Sequence, residues 1–265
     1  MSTQLAEPSV AALFDGPTPD RLGACAHLRG FNGVHGGLTL ALLARKMLDD
    51  APGHELASLE GRFVRTMLRG ADLGTDVVKR GRSAVWSTGV ARDADGPVVT
   101  AAGLLKPRGS DLGTLAAPPP PCVPGPEGLA ELRLPTAFAA VLDQVELRNA
   151  CGNHPFGGHD SAELIAWVRI LGDDRPLDVP RTIFLLDILV PSYTAMLTEQ
   201  LVIPTLSLSI HLGPIPRSAS PWLLLHARTT RVDGDAWLTE DVDAWTREGE
   251  HVACSRQLRL VLDAE

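Results

Sequence analysis

A proline-dense segment, Lys106 to Pro135, divides this chain into two halves of similar length, and no other feature constrains the fold as strongly. It holds Pro107, Pro118 to Pro121, Pro124, Pro126 and Pro135. Proline fixes φ and lacks an N–H, so this stretch cannot form regular helix and suits a semi-rigid, extended connector. The expected organisation is an N-terminal domain over 1–105, a linker over 106–135 and a C-terminal domain over 136–265. A chain of 265 residues has room for two ordinary domains, and 45% hydrophobic residues can supply both cores.

The halves repeat each other in pattern. Each begins with a strand-like stretch, continues with one apolar helix and ends in β-hairpins. The first helix is expected over Gly36 to Leu48 and the second over roughly Thr182 to Thr198. Both are apolar on nearly every face, as suits a helix wrapped by a sheet. Strands are expected from Thr75 to Ala91 and from Pro97 to Leu105, around the turn Asp93-Ala94-Asp95-Gly96. In the second half they run over Leu223–Thr230, Ala236–Trp245 and His251–Leu262, with Arg247-Glu248-Gly249 as the turn. Gly96 maps onto Gly249 at an offset of 153, and near the helices an offset of 150 pairs Gly37 with Asp187. One helix followed by antiparallel strands, twice over, implies an α+β protein whose two sheets join side by side, each curling around its own helix.

Charge and cysteine usage exclude several classes. The net charge of −8 disfavours nucleic-acid binding; the densest basic cluster, Lys79, Arg80 and Arg82, falls in a turn. The start, Met1 to Pro8, lacks a basic flank and an apolar signal core, and Cys25, Cys122, Cys151 and Cys254 show no metal-like pairing. A cytoplasmic protein with free thiols is expected. The apolar run Ile183 to Val190 is broken by Asp187 and too short to cross a bilayer, so no membrane role is expected.

Several motifs, in order, resemble the acyl-CoA thioesterases that carry two hotdog domains in one chain, the bacterial thioesterase II type. They are Val34-His35-Gly36-Gly37 opening the first helix and Val78-Lys79-Arg80-Gly81-Arg82-Ser83 at a hairpin turn. In the second half they are Ala166-Trp167-Val168-Arg169, Arg175-Pro176-Leu177-Asp178 and Leu186-Asp187-Ile188-Leu189-Val190-Pro191. The resemblance implies a double hotdog fold and hydrolysis of a fatty or related acyl-CoA, without a cofactor. That family places an Asp early in the second central helix, a Thr on the next strand and a Gln on the last. By position these are Asp187, Thr205 and Gln257. The residues after Thr205, Leu206-Ser207-Leu208-Ser209-Ile210-His211-Leu212, depart from the family's acidic and aromatic sequel, which bears on acyl specificity.

The residues themselves leave more than one role open. Asp187 lies among Phe184, Leu185, Leu186, Ile188, Leu189 and Val190, where an unpaired carboxylate is costly and basic toward water. It could equally be a helix N-cap. Gln257 stands in a terminal strand that also carries Leu258, Leu260 and Leu262; it is expected to turn inward among leucines, holding water or only a core backbone group. Its counterpart at the offset of 153 is the apolar Leu104, which suggests one functional site per pair of domains. Thr205 alone reads as strand filler. A helix N-terminus would supply oxyanion donors, with Gly36 and Gly37 letting substrate approach and His35 at the helix entry; which helix does so is not legible. Direct attack by Asp187 to form an anhydride is the rival route.

Cys151, His154, His159 and Asp160 are too loosely spaced for a zinc site, and His154 or His159 is expected at the pocket mouth. There is no Gly-x-Ser-x-Gly elbow, phosphate loop or His-Glu-x-x-His. The alternative from another class is an acyl-thioester binding protein without turnover. Homo-oligomers are expected, because fused hotdogs leave sheet edges or helix-free faces to cover.

Overall fold

The computed structural model describes residues 7–109, 117–134, 139–215 and 220–262. The stretch before Glu7, linker residues 110–116, Pro135 and the three residues after it, residues 216–219, and the last three residues of the chain lie outside them.

The first half comprises α1 (Val10–Asp15), β1 (Arg21–Leu22) and α2 (Gly36–Asp50), then β2 (His54–Phe63), β3 (Ala71–Arg80), β4 (Val85–Asp93) and β5 (Gly96–Pro107). The second comprises β6 (Val145–Asn149), β7 (Glu163–Ile170), α3 (Val179–Leu186) and β8 (Thr205–Leu212). It ends with β9 (Leu223–Val232), β10 (Trp237–Thr246) and β11 (His251–Leu260). All eleven strands form one antiparallel sheet, ordered β1-β3-β4-β5-β2-β8-β11-β10-β9-β7-β6. Read outward from its centre the halves run in the same order, β2-β5-β4-β3-β1 and β8-β11-β10-β9-β7, with β6 an additional strand at the second half's edge. The halves are joined by the ladder between β2 and β8, where Leu59 faces Ile210 and Gly61 faces Leu208.

The sheet wraps α2, whose Leu38, Leu40, Ala41, Leu42, Leu43, Ala44 and Met47 are fully buried. A helix apolar on every side has no solvent face to offer, so it must be enclosed. His35 caps it: the ring Nδ1 accepts the Leu38 N–H at 3.2 Å.

The second helix corrects the sequence reading. It starts earlier than Thr182, because Asp178 accepts the Arg181 N–H at 2.9 Å as N-cap and Pro180 suits the first turn. It stops at Leu186 rather than continuing to Thr198. Pro191 has no N–H to give to the carbonyl of Asp187, and the residue before a proline is forced out of helical geometry. A short 3-10 turn, Ser192–Met196, follows instead. Asp187 is therefore the C-cap of α3, not an interior helical residue.

The linker does more than space the halves. Trp245 Nε1 donates to Pro118 O at 2.9 Å and Trp167 Nε1 to Pro124 O at 2.8 Å. Val123 and Leu129 pack on Trp167, Trp245, Leu224 and Ile165, a small core on the outer side of the second half's sheet. Further along, Leu132 N–H donates to Leu147 O and Asn149 N–H to Ala130 O, so the linker also covers the edge of β6. The other edge, β1, is two residues long. All four cysteines are unpaired. Among the described residues, no helix is long and apolar enough to cross a membrane.

Candidate active site

The site is assembled where α2, the end of α3 and the start of β8 meet between the halves. The proline that ends α3 leaves the Asp187 carbonyl without a helical donor, and His35 Nε2 takes it at 3.1 Å. Because Nδ1 already accepts from Leu38, the proton must sit on Nε2. Burial holds this imidazole below its ordinary value and therefore neutral, against the raising pull of Asp187. Its ring also packs edge-on against Phe184 of α3. His35 thus locks the start of one helix to the end of the other.

The Asp187 side chain crosses the same junction. Its Oδ2 accepts the Gly37 N–H at 2.8 Å, and nothing among the described residues engages Oδ1. The capping role weighed for Asp187 is real, but the capped helix is α2, in the other half of the chain. The position requires glycine: a Cβ on Gly37 would lie 2.6 Å from Asp187 Cβ. Space expected to admit substrate at Gly37 is instead filled by the carboxylate. At Gly36 a Cβ would meet the Phe63 ring at 2.4 Å. The first turn of α2 therefore has two of its N–H groups spent internally, by Gly37 and Leu38. The Gly36 N–H has no acceptor among the described residues.

Across from Asp187, Thr205 Oγ1 donates to Gln257 Oε1 at 3.1 Å. Gln257 is buried, and its amide nitrogen donates to nothing among the described residues. It turns inward as expected, but not among leucines. Side chains alternate with a period of two, so Ser255 and Arg259 share its face, while Leu258 is exposed. The same period corrects its counterpart. Leu104 points away from the core; the inward residue that stands to Leu59 as Gln257 stands to Leu208 is Gly103. The offset at this strand is 154, and a slip of one residue exchanges the faces. The position opposite Gln257 in the first half thus has no side chain at all.

Sequence reasoning missed Arg259 and Glu240. Arg259 donates from Nη1 to Thr205 Oγ1 at 2.8 Å, and from Nε and Nη2 to Glu240 Oε1 at 3.2 and 2.8 Å. Both are buried, Glu240 completely.

A cavity of about 340 Å³ joins these groups. Asp187, Gly36, His35, Thr205 and Arg259 line it, and Val34, Phe63, Val141, Ile188 and Ile203 supply apolar wall. Gln257 reaches it only through Thr205, and Gly37 only through Asp187. His35 lines it with both ring nitrogens committed, so it offers a ligand only ring carbon. His154 and His159 do not belong to the cavity lining. They bond each other at 2.7 Å in an exposed loop, and among the described residues no group of three ligands could hold a metal.

A family model described as acyl-CoA thioesterase N-terminal domain matches residues 28–105, and one described as acyl-CoA thioesterase C-terminal domain matches residues 117–261. A protein of unknown function with hotdog fold from Alicyclobacillus acidocaldarius superposes with a TM-score of 0.82 at 20% identity, covering 92% of this chain and 93% of its own. A protein provisionally named thioesterase II, from Thermobifida fusca, gives 0.79 at 20% identity over 92% and 93%. The TesB protein of Mycobacterium avium subsp. paratuberculosis gives 0.72 at 20% identity over 88% and 89%. Among curated protein sequences no match was found. The α+β architecture expected from the sequence, two hotdog units in one sheet, is the architecture of these structures.

Proposed function

This chain belongs to the acyl-CoA thioesterase family, and from that premise we propose that it hydrolyses a fatty or related acyl-CoA to free acid and CoA through water activated by Asp187. The observation that carries the reading is the one-sided use of the Asp187 carboxylate. Oδ2 is tied down by Gly37 N–H, and Oδ1 is left to take a proton. Such a base needs only to be held within hydrogen-bond reach of water.

In this mechanism the acyl chain enters the apolar cavity, with the thioester carbon between Asp187 and Thr205. A cavity of about 340 Å³ lies at the small end of the ~300–1,000 Å³ range of ligand pockets, a size that suits an acyl group. Asp187 Oδ1 accepts a proton as the water oxygen attacks the carbonyl carbon. Thr205 can still accept from that water, and Gln257, by taking the Thr205 hydrogen, leaves the hydroxyl free to do so. The oxyanion forms against the uncommitted Gly36 N–H at the positive end of α2, a fifteen-residue helix. Cleavage of the C–S bond then returns the proton from Asp187 to the departing thiolate. His35 positions the two helix ends and moves no proton.

Thiol release from a panel of acyl-CoAs tests the reading. Turnover in the wild type and its loss in Asp187→Asn, with the fold intact, are expected. Saturable acyl-CoA binding without thiol release would instead make this an acyl-thioester binding protein. Trapping of an acyl-enzyme by hydroxylamine would favour the anhydride route over water attack. In this reading residues 1–105 serve as the hotdog that supplies the helix terminus, and 136–265 as the one that supplies the reacting groups.

A further inference from the structure

Glu240 and Arg259 are unlike the rest of the site: an ion pair buried beside it that no motif explains. Their strands are neighbours, and both side chains face inward. The pair reaches in two directions. Arg259 holds Thr205, and through it Gln257. The other oxygen of Glu240, Oε2, accepts both the N–H and the hydroxyl of Ser192, the latter at 2.8 Å. Ser192 opens the 3-10 turn just beyond Asp187. One buried carboxylate thus ties together the two segments that carry the proposed reacting groups.

The direction of each hydrogen bond follows from which groups can donate. A guanidinium offers donors only, so Thr205 Oγ1 must accept from Arg259. Its single hydrogen is then left for Gln257, which must present Oε1 to receive it. The amide N–H groups of Gln257 are thereby kept out of that bond. Without Arg259, the hydroxyl could accept from the Gln257 amide instead, and the side-chain amide could turn over. A buried ion pair is weak grounds for stability, since its desolvation cost offsets its attraction. Its effect on the direction of the Thr205 hydroxyl is a different matter.

We infer that Glu240 and Arg259 are positioning residues for the hydrolytic site: the pair fixes the direction of the Thr205–Gln257 hydrogen bond and so keeps the Thr205 hydroxyl, which lines the cavity, an acceptor toward the attacking water. The inference rests on the hydrolase reading above and adds to it two residues that do not touch the reacting atoms through their own chemistry.

Removing Arg259 alone would leave Glu240 charged and unpartnered in the core, which can unfold the protein. The informative variant is therefore Arg259→Met combined with Glu240→Gln, in which residue 240 keeps an acceptor for Ser192. It should melt cooperatively, keep KM within about threefold and lose kcat by roughly 10- to 100-fold. Arg259→Lys in the wild-type background should recover part of that loss, because it restores a donor-only partner for Thr205. In a Thr205→Val background the same double change should lower kcat no further, since the bond it acts on is already absent. A pair that only holds the fold would lower kcat equally in both backgrounds. Equal losses, or wild-type kcat in the folded double variant, overturn the inference. If the wild-type protein releases no thiol from any acyl-CoA, the hydrolase reading fails first and takes this one with it.

Discussion

Gly37→Ala puts a methyl group where the structure has no room for it. Its Cβ would lie 2.6 Å from Asp187 Cβ, 3.0 Å from Oδ2 and 3.1 Å from His35 Cε1. Relaxed carbon contacts sit at about 3.5–4.0 Å, so Asp187 must withdraw by about 1 Å. That withdrawal strains the 2.8 Å hydrogen bond by which Gly37 aims the carboxylate. A misplacement of ~1 Å in a reacting group can cost about 100-fold in rate. Substrate binding depends on the apolar wall, which is untouched. We therefore expect kcat to fall roughly 100-fold with KM within about threefold. Stability should change far less. Overpacking costs about 1–3 kcal/mol, and replacing Gly by Ala inside a helix returns about 1 kcal/mol. The net of about 0–2 kcal/mol lowers the melting temperature by a few degrees at ~2–4 °C per kcal/mol. Steady-state thiol release measured beside a thermal melt separates the two effects. A folded Gly37→Ala protein with wild-type kcat refutes the claim that α2 aims Asp187 for catalysis.

Other consequences can be checked independently. Burial keeps the His35 imidazole below its ordinary 6.5, so its neutral form contributes stability above that value, and the contribution is lost as the pH falls through the folded value. Melts from about pH 8 to about pH 5 should show a fall beginning near ~6.5 that His35→Asn flattens; an unchanged profile in that variant contradicts the assignment. Trp245→Phe removes the indole donor to Pro118 and should cost about 1–2 kcal/mol, read by chemical denaturation, without changing kcat. Both sheet edges are short or covered, so we propose that copies of the chain associate through the helix-free outer face, where Trp86 and Leu258 are exposed. Light scattering should find more than one chain per particle, and Trp86→Glu should dissociate it.

Much of the fold was readable because its signals are local. The proline seam, the all-round apolar Gly36–Asp50 helix and the Asp93–Gly96 turn each depend on neighbouring residues alone. The second helix departs from the sequence expectation at both ends for local reasons: Pro191 denies the Asp187 carbonyl its donor, and Asp178 marks an earlier start. β2 alternates Leu59, Gly61 and Phe63 with Ser58, Glu60 and Arg62, but its place at the centre of the sheet depends on pairing with β8, which no local signal carries. The carboxylate, hydroxyl and amide were legible as residue types in a family order. Glu240 and Arg259 were not, since they become partners only once β10 and β11 are in register. A trace existed even so. Leu238, Glu240, Val242 and Ala244 share one phase of an alternating strand, and a lone charge on a buried phase requires a partner of opposite sign.

In the proposed mechanism the duplicated architecture leaves room for one site. Two identical halves related across the β2–β8 ladder would each present a helix terminus and a carboxylate, giving two equivalent sites. Here the roles are divided. The first half keeps the glycine-opened terminus of α2, and the second supplies Asp187, Thr205, Gln257 and Arg259. Where the first half would have to place a matching amide it has Gly103, and the space above that glycine is taken by Met47, whose Sδ would lie 2.7 Å from any Cβ built there. Met47 also lies against Gly89 and is fully buried. The counterpart of the proposed reacting centre in the first half is thus solid core. Restoring a polar side chain at residue 103 would not regenerate a second site, because it would have to displace a buried methionine, open a cavity and still lack the Arg259 equivalent, whose inward position is held by the buried Leu105.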